Sequence, residues 1–132
     1  MNLTTCPMLH AYAETIGVQL TRHNGGPKGW YNNTTRTIST RRGLSIQAYK
    51  STLAHELGHA TYHDEPTGHG HYDRRQETRA DKWAACVLID NDAFENAYRW
   101  HRGHLPAIAD ELEVTHHILD VWCANYKRKT PA

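Results

Sequence analysis

Apolar residues recur at helical spacing in five stretches of this chain, with polar punctuation between them. Leu9, Tyr12, Ala13, Ile16 and Leu20 predict a first helix over 8–20 that ends near Gly17 or just past it. Asn24-Gly25-Gly26-Pro27 is a turn signal. Two β-like pieces, Trp30-Tyr31-Asn32 and Arg36-Thr37-Ile38-Ser39, predict a hairpin or small antiparallel sheet. Tyr49, Leu53, Leu57 and Ala60 stripe a helix over 48–62, capped by Ser51 or Thr52 unless 46–49 already belong to it. Residues 63–73, rich in His, Gly, Asp and Pro, read as a loop. Ala80, Trp83, Ala84, Val87 and Leu88 mark a strong helix over 74–89. Helical runs over 93–101 and 106–126 complete the chain; the last has a break at Glu113-Val114 and Thr115 as N-cap of its second half. The expected fold is α+β: one mostly helical domain over 1–132, with the helical pair 105–126 part of it.

Composition narrows this picture. The 132 residues are 39% hydrophobic and 22% charged, which suits a globule, and a formal net charge of +1 gives no global field for nucleic acid. No stretch approaches the roughly 18 apolar residues of a membrane helix. No basic segment followed by an apolar run opens the chain, so a cytoplasmic location is expected. Cys6, Cys86 and Cys123 are odd in number and far apart, as free thiols in a reducing compartment would be.

Eleven histidines stand out, and one pair carries chemistry. His55 and His59, four apart in a predicted helix, project from one face one turn apart, as two ligands of a tetrahedral metal require. Glu56 sits on a neighbouring azimuth, the general-base position of His-Glu-x-x-His. Composition alone would yield this pattern in roughly one such chain in twenty, so its context matters. It falls where helical periodicity is already strong, and Gly58, a poor helix former, suggests close approach by another element. A catalytic site needs a third ligand and one open position. Glu77, near the start of the next helix, is best placed, and Asp73, His69 and His71 are its alternatives. Glu65 fits an extended three-histidine spacing only without the glycine expected at position 62, and His63 would put three ligands in a line. Asp81, one turn beyond Glu77, could accept a hydrogen bond from the distal nitrogen of His55 or His59. The plainer account of Glu77 and Asp81 is surface pairing with Arg74, Arg75 or Lys82. His71, Tyr72 and Tyr62 are candidates to polarise a substrate carbonyl.

With these residues in view, the chain resembles the ImmA/IrrE family of metallo-endopeptidases. The resemblance rests on Ser51-Thr52-Leu53-Ala54-His55-Glu56-Leu57-Gly58-His59-Ala60 and on Glu77-Thr78-Arg79-Ala80-Asp81-Lys82-Trp83-Ala84-Ala85-Cys86-Val87-Leu88 in this order, after a helix with Gly17-Val18 at its end and short strands. It implies a minimal zincin-like, gluzincin-type active-site helix followed by a ligand-bearing helix. It also implies one zinc ion held by His55, His59 and Glu77, with Glu56 as base. The implied reaction is cleavage of a partner protein, typically a helix-turn-helix repressor of a phage or mobile element. The chain departs from the family pattern at Val87-Leu88-Ile89-Asp90, where Leu-Leu-x-Pro is usual.

Two rivals belong to other classes. One is a DNA-binding regulator that uses the helical pair 105–126, with a structural metal. Its second helix would begin with His116-His117, and the basic residues come only at Lys127-Arg128-Lys129, so core packing of Ile108, Leu112, Ile118, Val121 and Trp122 is the stronger reading. The other is a metal-binding module that holds a repressor without cutting it.

Overall fold

The structure, a computed structural model, describes residues 1–126 and every side chain among them except that of Tyr72. Thr5 accepts the Met8 backbone N–H at its hydroxyl and opens helix α1, Cys6–Thr15. Gly17, at φ +73°, closes it: Val18 N–H reaches back to the Ala13 carbonyl and Gly17 N–H to that of Glu14. This reversal diverts Leu20 from the helix that its spacing predicted into strand β1, Gln19–His23. Strands β2, Gly29–Asn32, and β3, Thr37–Arg41, form the expected antiparallel pair, with Trp30 opposite Ser39 and Tyr31 opposite Ile38. β1 lies parallel along the other edge of β3, so the sheet is mixed, in the order β1-β3-β2. As the middle strand, β3 buries Ile38, Ser39 and Thr40 in succession.

Helix α2, Ile46–Thr61, starts at Ser45, whose hydroxyl accepts the Ala48 N–H; residues 46–49 are therefore helical, and Ser51 and Thr52 lie inside. Helix α3, Gly70–Leu88, packs along α2. It begins four residues before the expected start because Asp73 accepts both the N–H (2.8 Å) and the hydroxyl (2.7 Å) of Thr67, folding the loop onto its first turn. Gly58 costs α2 about 1 kcal/mol relative to Ala in helix propensity. A Cβ there would stand 3.1 Å from both Cα and O of Ala80, so the glycine is what lets α3 come this close.

Asp90 caps α4, Asn91–Trp100, which is followed by α5, Leu105–Leu112, and α6, His116–Asn125. The predicted break is real: Glu113 adopts φ +56° and Thr115 accepts the Ile118 N–H. This corner is fastened to α2, since Thr115 N–H donates to Ser51 Oγ at 3.1 Å and the buried Lys50 ammonium donates to Glu113 Oε1 at 3.2 Å. Ile108, Ile118 and Trp122 are buried, with Leu112 and Val121 packed against the same core as Leu53, Leu57, Ala84 and Leu88. The pair α5–α6 thus spends its apolar face inside the fold. No helix among the described residues is long and apolar enough to cross a membrane. Cys6, Cys86 and Cys123 are unpaired thiols, and Lys127-Arg128-Lys129 lie outside the described residues.

Candidate metal centre

The i, i+4 spacing on α2 aims His55 and His59 at α3, and the same spacing on α3 aims Glu77 and Asp81 back. The Nε2 atoms of the two histidines lie 3.2 Å apart. Glu77 closes the triangle with Oε2 2.8 Å from His55 Nε2 and Oε1 3.0 Å from His59 Nε2. A tetrahedral zinc-like ion bound at about 2 Å by each donor would hold the donors roughly 3.3 Å apart, so the trio fits one. Among the described residues these three form the one metal-ligating group, and no fourth His, Cys, Asp or Glu completes it.

Each ring is fixed from behind. His55 Nδ1 donates to Asp81 Oδ1 at 2.7 Å, and Asp81 Oδ2 accepts from His117 Nε2 at 2.7 Å. Asp81 therefore serves His55 and leaves His59 to another carboxylate. That one is Asp64, whose Oδ2 accepts from His59 Nδ1 at 2.9 Å while Oδ1 takes the Arg79 guanidinium. The backbone explains its position. His63 adopts φ +54°, and the Asp64 N–H bonds to the His59 carbonyl while that of His63 bonds to Ala60, a Schellman end that folds residue 64 back over the last turn. The turn also directs His63 toward Arg36, with Nδ1 3.3 Å from the guanidinium, and away from the trio.

The electrostatics follow from burial and partners. Burial disfavours the charged form of His55, but the Asp81 hydrogen bond and the charges of Glu56, Asp81 and Glu77 outweigh it and raise the metal-free pKa to about 9. The Glu56 carboxyl is pushed above the ordinary range by burial, with the Glu77 charge adding to the rise and the two histidines opposing it. Asp81 is held below its ordinary value: burial alone would raise it, and the hydrogen bonds from His55 and His117 reverse that.

A cleft of ≈ 390 Å3 opens before the trio, lined also by Gly29, Trp30, Tyr31, Glu56 and Gln76. Gly29 brings β2 onto α2, where a Cβ would stand 2.6 Å from Thr52 Cγ2 and 3.4 Å from Glu56 Cγ. Beyond Glu56 a hollow of ≈ 400 Å3 is lined by Lys28, Thr52, Asp81, Thr115 and His117.

A family model described as the IrrE N-terminal-like domain matches residues 13–121. The chain belongs to this peptidase family. Membership supports a peptidase role, and the matched span holds every residue of the IrrE-like site described above, from Gly29 to His117. No curated protein matches the chain.

Of the residues singled out in the sequence, His55, Glu56, His59, Glu77 and Asp81 meet at one place. Asp73 lines the cleft but is held by Thr67. Tyr62 is exposed with the Arg79 guanidinium 4.1 Å from its ring centre, and His71 lines the outer side of α3; neither borders the cleft. The Tyr72 side chain lies outside what the structure describes. His69 N-caps α3 without a side-chain hydrogen bond to it, and Glu65 accepts from Asn33 at 3.1 Å on the cleft wall. Asp64 and His117 carry no periodic signal and escaped the sequence reading. The one clue to Asp64 was its place just past a helix that ends without glycine.

Proposed function

We propose that this chain is a zinc-dependent endopeptidase of the cytoplasm that cleaves a partner protein, a helix-turn-helix repressor or related transcription regulator. His55, His59 and Glu77 are the metal ligands and Glu56 the general base. The observation that carries the proposal is the convergence of three donors from two helices, beside a buried carboxylate, with no fourth donor among the described residues. An open His/His/Glu set is the donor chemistry of catalytic rather than structural zinc. When bound, the ion supplies Lewis acidity toward a peptide carbonyl and acidifies water.

The remaining work falls to the chain's own groups. Asp81 and Asp64 hold both imidazoles with Nε2 forward. Glu56, its carboxyl pKa raised above the ordinary value by burial, takes the proton of the attacking water and returns it to the leaving amine. β2 pairs only with β3 among the described residues, and its Gly29-Trp30-Tyr31 segment borders the cleft. Its second edge suits an extended peptide added as a further strand. The test is Glu56→Gln. It should keep wild-type metal content by elemental analysis while cleavage of repressor candidates, followed by mass spectrometry, falls at least about 100-fold. An active Glu56→Gln protein would remove Glu56 from the mechanism.

A further inference from the structure

Helix α3 carries its charges in two stripes. Asp73, Glu77 and Asp81 recur every four residues on the side that borders the cleft and the neighbouring hollow, and each is engaged: by Thr67, by His55 and His59, and by His55 and His117. The outer side presents Arg75, Arg79 and Lys82, with Arg74 at the border between the stripes, all exposed. Arg79 reaches Asp64 and lies over Tyr62. Arg74, Arg75 and Lys82 form no ion pair among the described residues. The acids of their own helix, the natural partners for such cations, are committed elsewhere: Glu77 and Asp81 to the metal centre and Asp73 to Thr67. Like charges at i, i+4 (Arg75, Arg79) and i, i+3 (Arg79, Lys82) weaken a helix, so apart from the Arg79–Asp64 pair the isolated fold gains nothing from this clustering of cations. The surface is concave: with Thr67 and His71 these cations line a depression of ≈ 730 Å3. Gln76 lines both this depression and the cleft at the metal centre, so the two adjoin.

We infer that the outer face of α3 docks an acidic segment of the protein substrate, adjoining the peptide bond held in the cleft. The inference rests on the peptidase reading and supplies the substrate chemistry that reading lacks. From Arg74 to Lys82 the helix rises about 12 Å, the length of roughly four extended residues, so the complementary segment is short and rich in Asp or Glu. A nucleic-acid backbone is the poorer match. The chain's net charge is +1 and its pI ≈ 7.8, whereas phosphate-tracking domains carry a strongly basic surface overall.

The test uses the full zinc-loaded chain carrying Glu56→Gln, so that no probe is consumed. Fluorescence anisotropy compares a labelled peptide alternating Glu and Ser, its Gln-for-Glu counterpart and a short labelled DNA duplex. The acidic peptide should bind and weaken with added salt. Adding Arg74→Gln, Arg75→Gln and Lys82→Gln should weaken it at least tenfold, and Arg75→Lys alone should retain binding. Equal affinity for the Gln peptide, or no loss in the triple variant with its circular dichroism unchanged, overturns the inference. Tighter binding of the duplex through the same three cations replaces the acidic peptide with nucleic acid. Because binding is read without turnover, its failure is separate from that of the peptidase reading, which wild-type cleavage tests.

Discussion

The two histidines of the centre look equivalent on α2, yet they are held by different means. His59 is fixed from within its own stretch of chain: Asp64, five residues on, is folded beneath it by the αL turn at His63 and is itself steadied by Arg79. His55 depends on distant elements, since its carboxylate comes from α3 and is shared with His117 of α6. One arm is buried and local, the other more exposed and assembled from three helices. A metal site can therefore keep half of its geometry when its tertiary surroundings loosen, and lose the other half.

The largest effect should come from the residue both arms share. Glu77→Ala removes the carboxylate that spans His55 and His59, and metal content by elemental analysis should fall to background. Unchanged content would return Asp73, His69 or His71 to the ligand set.

Proton competition sharpens the contrast on the His55 side. In the metal-free chain its pKa is about 9, above the ordinary 6.5, so a metal must displace a proton at any lower pH. Affinity measured by chelator competition should drop by about tenfold per pH unit below that value. Metal-free stability should run the opposite way. The group's contribution is fully present below pH ~6.5 and is lost as pH rises through ~9, so the metal-free melting temperature falls over that window. A flat pH profile would mean that Asp81 does not hold the ring as described.

Removing the two supporting carboxylates separates the arms. Asp64→Ala and Asp81→Ala should each weaken metal binding by about 10- to 100-fold. Above pH ~9, where the contribution of protonated His55 beside Asp81 is gone, only Asp64→Ala, which strips partners from a buried cluster, should also cost about 1–3 kcal/mol in denaturant unfolding of the metal-free protein. Equal stability losses would erase the distinction. The smallest effect belongs to His117→Ala. It breaks an exposed contact to Asp81 and should shift metal affinity by at most about fivefold.

The legibility of these parts in the sequence follows the same division. The motif helix was readable because His55, His59, Leu53 and Leu57 all report one period of 3.6. Glu77 and Asp81 were readable because they repeat that period on the next amphipathic helix. Gly58 announced a close approach, and Ala80 is what approaches. β1 was hidden: Gln19–His23 offers a single apolar residue, and its strand state depends on parallel pairing with β3 across a turn. The early start of α3 was hidden too, because Gly70-His71-Tyr72 has loop composition and becomes helical beside the Thr67–Asp73 bonds. Asp64 lies past a helix end, where periodicity says nothing. His117 joins the site only through the docking of α6, which no local pattern encodes.

The Schellman end at His63 also bears on the order of assembly. The contact from His59 to Asp64 spans five residues, against 26 from His55 to Asp81 and 36 from Asp81 to His117. Short loops close early and long ones late. The His59 arm is available as soon as α2 forms and turns, whereas the His55 arm awaits the docking of α3 and then α6. Three-donor coordination is thus a property of the late, native chain, and a partly folded one in which only α2 has formed offers the ion two imidazoles at most, one of them unsupported.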